Sequence, residues 1–373
     1  MHFTIQTAAM RAAIEIVSHA SVVTAVTPIL ENILVSVRFQ KVVLVTNNLE
    51  MAIEYVINEG IEIHSEGDFT VSARFLSSFV ALVQDEQLDI ERLEGDSLEF
   101  RTTTSTTRVK GADAAKFPVL PSMKSDFEPF PLPVEDLKKA FEKTVFSTAD
   151  GSIRPTLAGV YLRVSAESVA FASTDSFRLS EYLLEHRTGV DREIRMIVPK
   201  KTVLDLTRIF DGEKTVKVAV HESQILFVTD NIRVFSRLLN GHFPDYSNFF
   251  PKSHSTKGVI RRQDLINALK RINLISKENN FNSRFSFEAD KGLTIDTGDT
   301  EIGAGRVTLP ASVEGEDATV GMNSTYLLDV LGVMREDFVS LDFETNLSPV
   351  MVRSVPEKTD RATYRHIVMP LKI

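Results

Sequence analysis

The dipeptides Phe117-Pro118, Phe243-Pro244 and Met369-Pro370 recur at a constant interval of about 126 residues along a chain of 373. A period of that length is a whole domain, well beyond the roughly 20–50 residues of one solenoid unit. Other landmarks keep the same order in each third. A helix-like run opens each one (Thr7–His19, Pro133–Thr148, Arg262–Lys277), and a second lies near its middle (Val71–Gln84, Pro199–Phe210, Asn323–Arg335). Ser72, Pro199 and Asn323 are good residues for starting those second helices. A small-polar turn after a strand also recurs, as Val45-Thr46-Asn47, Ser173-Thr174-Asp175 and Thr297-Gly298-Asp299. The chain reads as one domain written three times, with boundaries expected at 1–125, 126–253 and 254–373.

Between the helices, short runs alternate apolar and polar residues: Asn32–Phe39, Lys41–Thr46, Met51–Val56, Gly159–Val164, Val169–Thr174, Lys214–Val220, Gln224–Thr229, Arg284–Glu288 and Val339–Glu344. A period of two bounded by Gly, Asp and Asn marks antiparallel strands with one buried face. Each third is expected to run β-α-β-β-β-α-β-β-β, with two helices against one face of a sheet, an α+β domain. Linkers are expected at Leu120–Pro133, rich in proline and charge, and at Pro251–Lys257. With 43% hydrophobic and 25% charged residues, the composition is that of a soluble globular protein. The sequence contains no apolar run of about 18 residues and no signal peptide, so no membrane association is expected. The absence of cysteine excludes disulfides and thiolate chemistry and fits a cytoplasmic location.

The net charge of −9 argues at first sight against a nucleic-acid partner, but the charge is unevenly spread. Pro199–Phe210 carries +2, Arg261–Lys277 carries +4 and Val71–Gln84 carries +1, while the other three helix-like runs are neutral. The helices therefore hold +7 in total, and the rest of the chain holds −16. Basic residues on solvated helix faces give the same tally without any partner.

Catalytic signatures are largely missing. The sequence has no G-x-S-x-G, no phosphate-binding G-x-x-x-x-G-K-[ST] loop and no H-E-x-x-H, and Gly303-Ala304-Gly305 lacks the third glycine of a dinucleotide turn. Eight scattered histidines without cysteine suggest no metal-ligand cluster, and no cofactor is expected. The best enzymatic candidate is Asp296-Thr297-Gly298, similar to an aspartic-protease turn, where two aspartates share a proton. No second such turn exists in the chain, so a protease would need a homodimer to complete the pair. Arg154, Asp175 and Arg178 form another polar set near strand ends. It reads either as ion pairs tying strands together or as a charged rim around an apolar depression that holds a peptide.

Several stretches resemble a known family, the bacterial DNA polymerase III β subunit or sliding clamp. They include Pro28-Ile29-Leu30-Glu31-Asn32-Ile33-Leu34, Arg154-Pro155-Thr156-Leu157-Ala158-Gly159-Val160-Tyr161-Leu162, Ser173-Thr174-Asp175-Ser176-Phe177-Arg178-Leu179, Phe243-Pro244-Asp245-Tyr246 and the tail Val368-Met369-Pro370-Leu371-Lys372-Ile373. The resemblance implies a non-catalytic processivity factor: a head-to-tail homodimer closed into a ring of six like domains, with helices lining a hole that encloses duplex DNA. Similar domains related by similar rotations close such a ring without a free end. DNA contacts would be sequence-independent phosphate contacts. Candidate cations for them are Arg11, Arg74, Lys138, Lys200, Lys201, Arg208, Lys270 and Arg271.

The resemblance further implies an apolar pocket between the middle and last domains for short peptides of client proteins. Those clients are the polymerase III catalytic subunit, the clamp loader complex, and other polymerases and repair proteins. Carried over residue by residue, the pocket is Arg154, Leu157, Thr174, Ser176, Phe177, Arg178, Leu179, Pro244, Asn248, Phe249, Ile367, Met369, Pro370 and Leu371. Interdomain core is the plainer reading of each. The chain departs from the family pattern where Ser176-Phe177 replace Gly-His and Asn248 replaces a basic residue. The loop Ala20–Thr27 also lacks an arginine that some members use on DNA. For the ring seam, order in the repeat nominates Glu99–Lys110 and Thr300–Thr308, with Arg101, Arg108 and Lys110 facing Asp299 and Glu301. Against this reading stand a dimeric protease built on Asp296 and a peptide-binding scaffold that does not encircle DNA.

Overall fold

The computed structural model describes residues 1–22, 24, 26–118, 120, 128–151, 154–356 and 362–372. The first third contains β1 (His2–Gln6), α1 (Thr7–Val17), β2 (Asn32–Arg38), β3 (Lys41–Asn47), β4 (Met51–Ile57), β5 (Ile61–Ser65), β6 (Gly67–Ser72), α2 (Ala73–Leu82), β7 (Gln87–Arg92), β8 (Ser97–Arg101) and β9 (Thr106–Lys110). The middle third has β10 (Phe130–Pro133), α3 (Val134–Thr144), β11 (Gly159–Val164), β12 (Ser168–Thr174), β13 (Arg178–Glu185), β14 (Ile194–Pro199), α4 (Lys200–Ile209), β15 (Thr215–His221), β16 (Gln224–Val228) and β17 (Ile232–Arg237). The last contains β18 (Thr256–Arg261), α5 (Arg262–Ser276), β19 (Asn282–Glu288), β20 (Gly292–Thr300), β21 (Gly303–Leu309), β22 (Ala311–Gly315), β23 (Ala318–Asn323), α6 (Ser324–Val333), β24 (Phe338–Phe343), β25 (Val350–Val355) and β26 (Ala362–Val368).

All six expected helices form, and every alternating run is a strand. The expected β-α-β-β-β-α-β-β-β order needs correction, because more than three strands separate the paired helices: β2–β6, β11–β14 and β19–β23. Strands such as β5 escape notice because their outer face is polar and largely exposed (Ile-Glu-Ile-His-Ser). The linker expected at Leu120–Pro133 ends in β10, and residues 121–127 lie outside the described set. The second linker likewise runs into β18 at Thr256. The turn expected at Thr297-Gly298-Asp299 is a bulge inside β20: Gly298 takes φ +66° and the ladder with β21 shifts between Asp296 and Asp299.

The chain packs into two compact units, Met1–Val134 with Asp205–Leu238, and Glu135–Leu204 with Leu239–Ile373. In the first unit a five-stranded sheet runs β5-β1-β7-β8-β9. An eight-stranded sheet, β10-β15-β16-β17-β4-β3-β2-β6, joins strands of successive repeats through the β17–β4 ladder (Ile232↔Tyr55 to Ser236↔Met51). The second unit holds a nine-stranded sheet, β14-β11-β12-β13-β26-β25-β24-β18-β22, and a four-stranded one, β21-β20-β19-β23. Two helices therefore do not cover one face of a single sheet in each third. In the second unit α5 and α6 bury Leu265, Leu269 and Ile272 with Leu327, Val330 and Leu331. These meet Phe285, Ile295 and Met322 of the four-stranded sheet, and Val339, Leu341 and Val368 of the nine-stranded one. Their i, i+3, i+4 spacing is the helical stripe that burial requires, and each buried aliphatic side chain contributes roughly 1.5–3 kcal/mol.

A candidate client cleft and exposed basic helices

Within the second unit, β12 and β13 form a hairpin whose turn is set by its own side chains. Asp175 Oδ1 accepts from the backbone N–H of Phe177 (2.9 Å) and of Arg178 (3.0 Å), while Thr174 Oγ1 accepts from Ser176 N–H (3.0 Å). The chain can then turn only with Ser176 in the left-handed region, at φ +82°. Glycine takes that conformation without steric cost, whereas a side chain is strained there. Arg178 anchors the far side of the turn. Its guanidinium donates to Asp175 Oδ2 (2.9 Å), to Asp329 Oδ2 (2.5 Å) and to the Phe146 carbonyl (2.8 Å), and lies over the Tyr326 ring at 4.5 Å. The Asp175–Arg178 ion pair is therefore structural, and it spans one turn rather than two strands. Arg154 reaches the Ser176 hydroxyl instead.

The hairpin is extended by the C-terminal strand. β13 pairs with β26 from Arg178↔Val368 to Leu184↔Ala362, after which Met369 N–H donates to the Phe177 carbonyl (2.7 Å). Leu371 N–H then bonds the Gly321 carbonyl (2.8 Å). Above this ladder opens a cleft of about 530 Å³ lined by Arg154, Leu157, Thr174, Ser176, Arg178, Leu179, Pro244, Asn248, Phe249, Ile367 and Met369. Leu179, Ile367 and Met351 continue below it into an aromatic base, where Tyr246 meets Phe250 edge-on and Tyr161 stacks on Phe243 at 4.8 Å.

Three residues expected in the cleft do not line it. Phe177 points to solvent at 55% exposure with its ring 6.5 Å from Tyr326, Leu371 bridges to β23, and Pro370, half-buried, is not among the lining residues. Pro251, Glu344, Ser348 and Pro349 complete the lining and were missed. The last three belong to the loop after β24, whose polar Thr345-Asn346 turn has no feature separating it from other loops.

The candidate DNA-facing cations sit on helices. Arg11, Arg74, Lys201, Arg208, Lys270 and Arg271 occupy exposed positions, and Lys138 and Lys200 are half-buried. Arg11 also donates to the Val80 and Val83 carbonyls (3.2 and 3.0 Å), so it closes the C-terminal end of α2 as well as offering charge.

The nominated seam residues divide. Arg101 of β8 is bound within its own sheet to Asp89 (3.2 Å), Glu91 and Glu99, and Arg108 of β9 to Glu99. These bonds, Arg108's first, hold the Glu99 carboxyl below its ordinary range. Lys110, Asp299 and Glu301 are exposed. Asp296, the protease candidate, lies between Arg284 and Arg306 in adjacent ladders, its Oδ1 taking the Gly298 N–H (3.2 Å). No helix among the described residues is long and apolar enough to cross a membrane. His2, His64 and Asp89, which the sequence scatters, bring one possible ligand atom each to within 4.8 Å of the others.

Family models of the DNA polymerase III beta subunit match the chain in series: the N-terminal domain over residues 1–121, the central domain over 131–245 and the C-terminal domain over 247–372. The Beta sliding clamp of Bacillus subtilis is 26% identical over 304 residues, 81% of this chain and 80% of that protein. That of Chlamydia pneumoniae is 24% identical, covering 93% and 92%. The crystal structure of the beta subunit from DNA polymerase of Streptococcus pyogenes superposes with a TM-score of 0.95 at 25% identity over both full chains. The DNA polymerase III subunit beta from Pseudomonas aeruginosa gives 0.91 at 26%, also over both full chains. With the threefold repeat, the edge-joined sheets and a match running through all three domains, the chain belongs to the DNA polymerase III beta subunit family.

Proposed function

We propose that this chain is a sliding clamp, a non-catalytic processivity factor that tethers the replicative polymerase to duplex DNA and recruits clients through the cleft beside β13 and β26. Three modules, 1–125, 126–253 and 254–373, pair head-to-tail with a second copy in the cytoplasm to close a ring. The observation that carries this reading is the cleft itself. Leu157, Leu179, Ile367, Met369 and Phe249 offer apolar sockets, Arg154, Ser176 and Asn248 offer polar edges, and the floor is a hydrogen-bonded ladder. That is the chemistry for an extended peptide with two or three apolar anchors, and methionine adapts its socket to different anchors. The clients are then the polymerase III catalytic subunit, the clamp loader, and other polymerases and repair proteins that carry such peptides.

The seam reading draws on the sheet order, in which β9 and β21 each end a sheet and leave one side of their backbone for a partner. Given the bonds of Arg101 and Arg108 inside their own sheet, Lys110 is the nominated cation with fewest competing carboxylates. The test is peptide affinity. Removing Met369–Ile373 (of which residue 373 lies outside the described set) is expected to lower the affinity for a polymerase-derived clamp peptide at least tenfold, measured by fluorescence anisotropy, with the dimer intact by light scattering. Unchanged affinity in an intact dimer would refute the cleft assignment.

A further inference from the structure

On the five-stranded sheet of the first unit, β1 lies between β5 and β7. Phe3 and Ile5 turn inward and are buried, so the alternate residues His2 and Thr4 face solvent. The β1–β5 ladder is regular at Ile5↔Ile61, Thr4↔Glu62 and Phe3↔Ile63, then jumps to His2↔Ser65. His64 is the extra residue of that bulge. Bulges re-aim side chains and gather beside functional sites. Here the bulge leaves the His64 ring 4.4 Å from that of His2, centroid to centroid.

The polar atoms converge. His2 Nε2 is 2.8 Å from Asp89 Oδ2, Thr4 Oγ1 is 3.1 Å from the same oxygen, and His64 Nε2 is 3.1 Å from Thr4 Oγ1. A hydrogen-bonded network accounts for His2, Thr4 and Asp89. His64 joins that network through Thr4, with Glu62 Oε1 3.9 Å from its Nδ1, so the bulge brings a second imidazole to the same point.

We propose that His2, His64 and Asp89 form a surface site for a divalent transition-metal ion of the zinc class, with solvent completing its coordination. Two imidazoles and one carboxylate suit such an ion, whereas calcium and magnesium take mostly oxygen ligands. Bonds of about 2.0–2.2 Å set tetrahedral ligand atoms about 3.3 Å apart. The His2–Asp89 contact opens slightly to meet that spacing, and His64 swings in from the outermost strand, where its side chain is 35% exposed. Arg101 Nη1, 3.2 Å from Asp89 Oδ1, orients the carboxylate from behind and leaves Oδ2 for the ion. The site does not depend on the ring or on the client cleft.

The untagged full-length chain, dialysed against Zn²⁺ alone, is expected to retain one ion, read by atomic emission, and to melt at a higher temperature than without metal. His64→Ala and, separately, His2→Asn each lower the affinity at least tenfold, while His254→Asn, on an exposed loop elsewhere, leaves it unchanged. Melting without metal shows whether each variant folds. Should a variant fail to fold, Co²⁺ on the parent chain supplies the second reading, an intense visible band from tetrahedral nitrogen and oxygen ligands. A parent chain that retains no zinc at micromolar free metal, folded histidine variants with parental affinity, or a Co²⁺ complex with only the pale spectrum of the hydrated ion would each overturn the site.

Discussion

His366 shows how much one side chain contributes beyond its place in a pattern. It sits on β26 with no exposed surface, its Nδ1 2.8 Å from Ser180 Oγ, which in turn lies 2.8 Å from Ser147 Oγ. Nε2 has no partner among the described residues. Burial first, and the Arg178 charge second, push its pKa down to about 3 from 6.5. The folded state thus refuses a proton that the unfolded chain accepts below pH 6.5. Stability is fully present above that value and is lost as the pH falls toward 3, at about 1.4 kcal/mol per pH unit from this group. From pH 6.5 to 5.5 the unfolding free energy from denaturant titration is expected to fall further in the parent than in His366→Asn, by about 1 kcal/mol. None of this was legible from the sequence, where His366 is one polar letter in a tail. Arg178 and Asp175 stand out in the sequence, yet the other three partners of Arg178, Phe146, Tyr326 and Asp329, come from segments far from it along the chain. Ser176 was seen as a departure from the family pattern, but its left-handed backbone belongs to the turn that Asp175 and Thr174 build.

Among elements, the helices were the most readable because their signal is local. In α5, Leu265, Ala268, Leu269 and Ile272 repeat at helical spacing and are all buried. Leu269→Ala leaves a cavity where α5 meets α6 and is expected to cost about 2–5 kcal/mol, measured by chemical denaturation. Alternating strands such as Asn32–Arg38 were equally plain. Pairing was not, because an edge such as β17–β4 joins residues nearly two hundred positions apart and leaves no trace in periodicity. Bulges were invisible for a related reason. Thr297-Gly298-Asp299 has the composition of a turn, and only its ladder partners decide that it continues a strand. Most of the cleft was reached through family resemblance to the residues around Ser176 and Met369. The loop bearing Glu344, Ser348 and Pro349 enters it only through the β24–β25 connection, so nothing nearby in sequence announced it.

For the molecule as a whole, the acidic total of −9 conceals helices that carry +7. On the proposed function these cations would meet phosphates; such contacts release counterions, and their loss is felt regardless of DNA sequence. Reversing Lys200, Lys201, Lys270 and Arg271 to Glu is expected to abolish processive synthesis on primed circular DNA while the protein stays folded. Processivity equal to the parent's would show that these four cations have no part in holding DNA. A closed ring is also expected to stay on circular DNA and run off linear ends, and to have a solution mass about twice 41.6 kDa by light scattering.

The ladder between β13 and β26 has a bearing on resistance. Both strands are paired on each side along the ladder, so a compound lying on it meets side chains and not main chain. Substitutions that loosen such a compound would fall on lining residues such as Arg154, Asn248 or Met369, which the proposed client peptide would also use. On the proposed function, a variant that escapes the compound would weaken its own hold on clients by the same change.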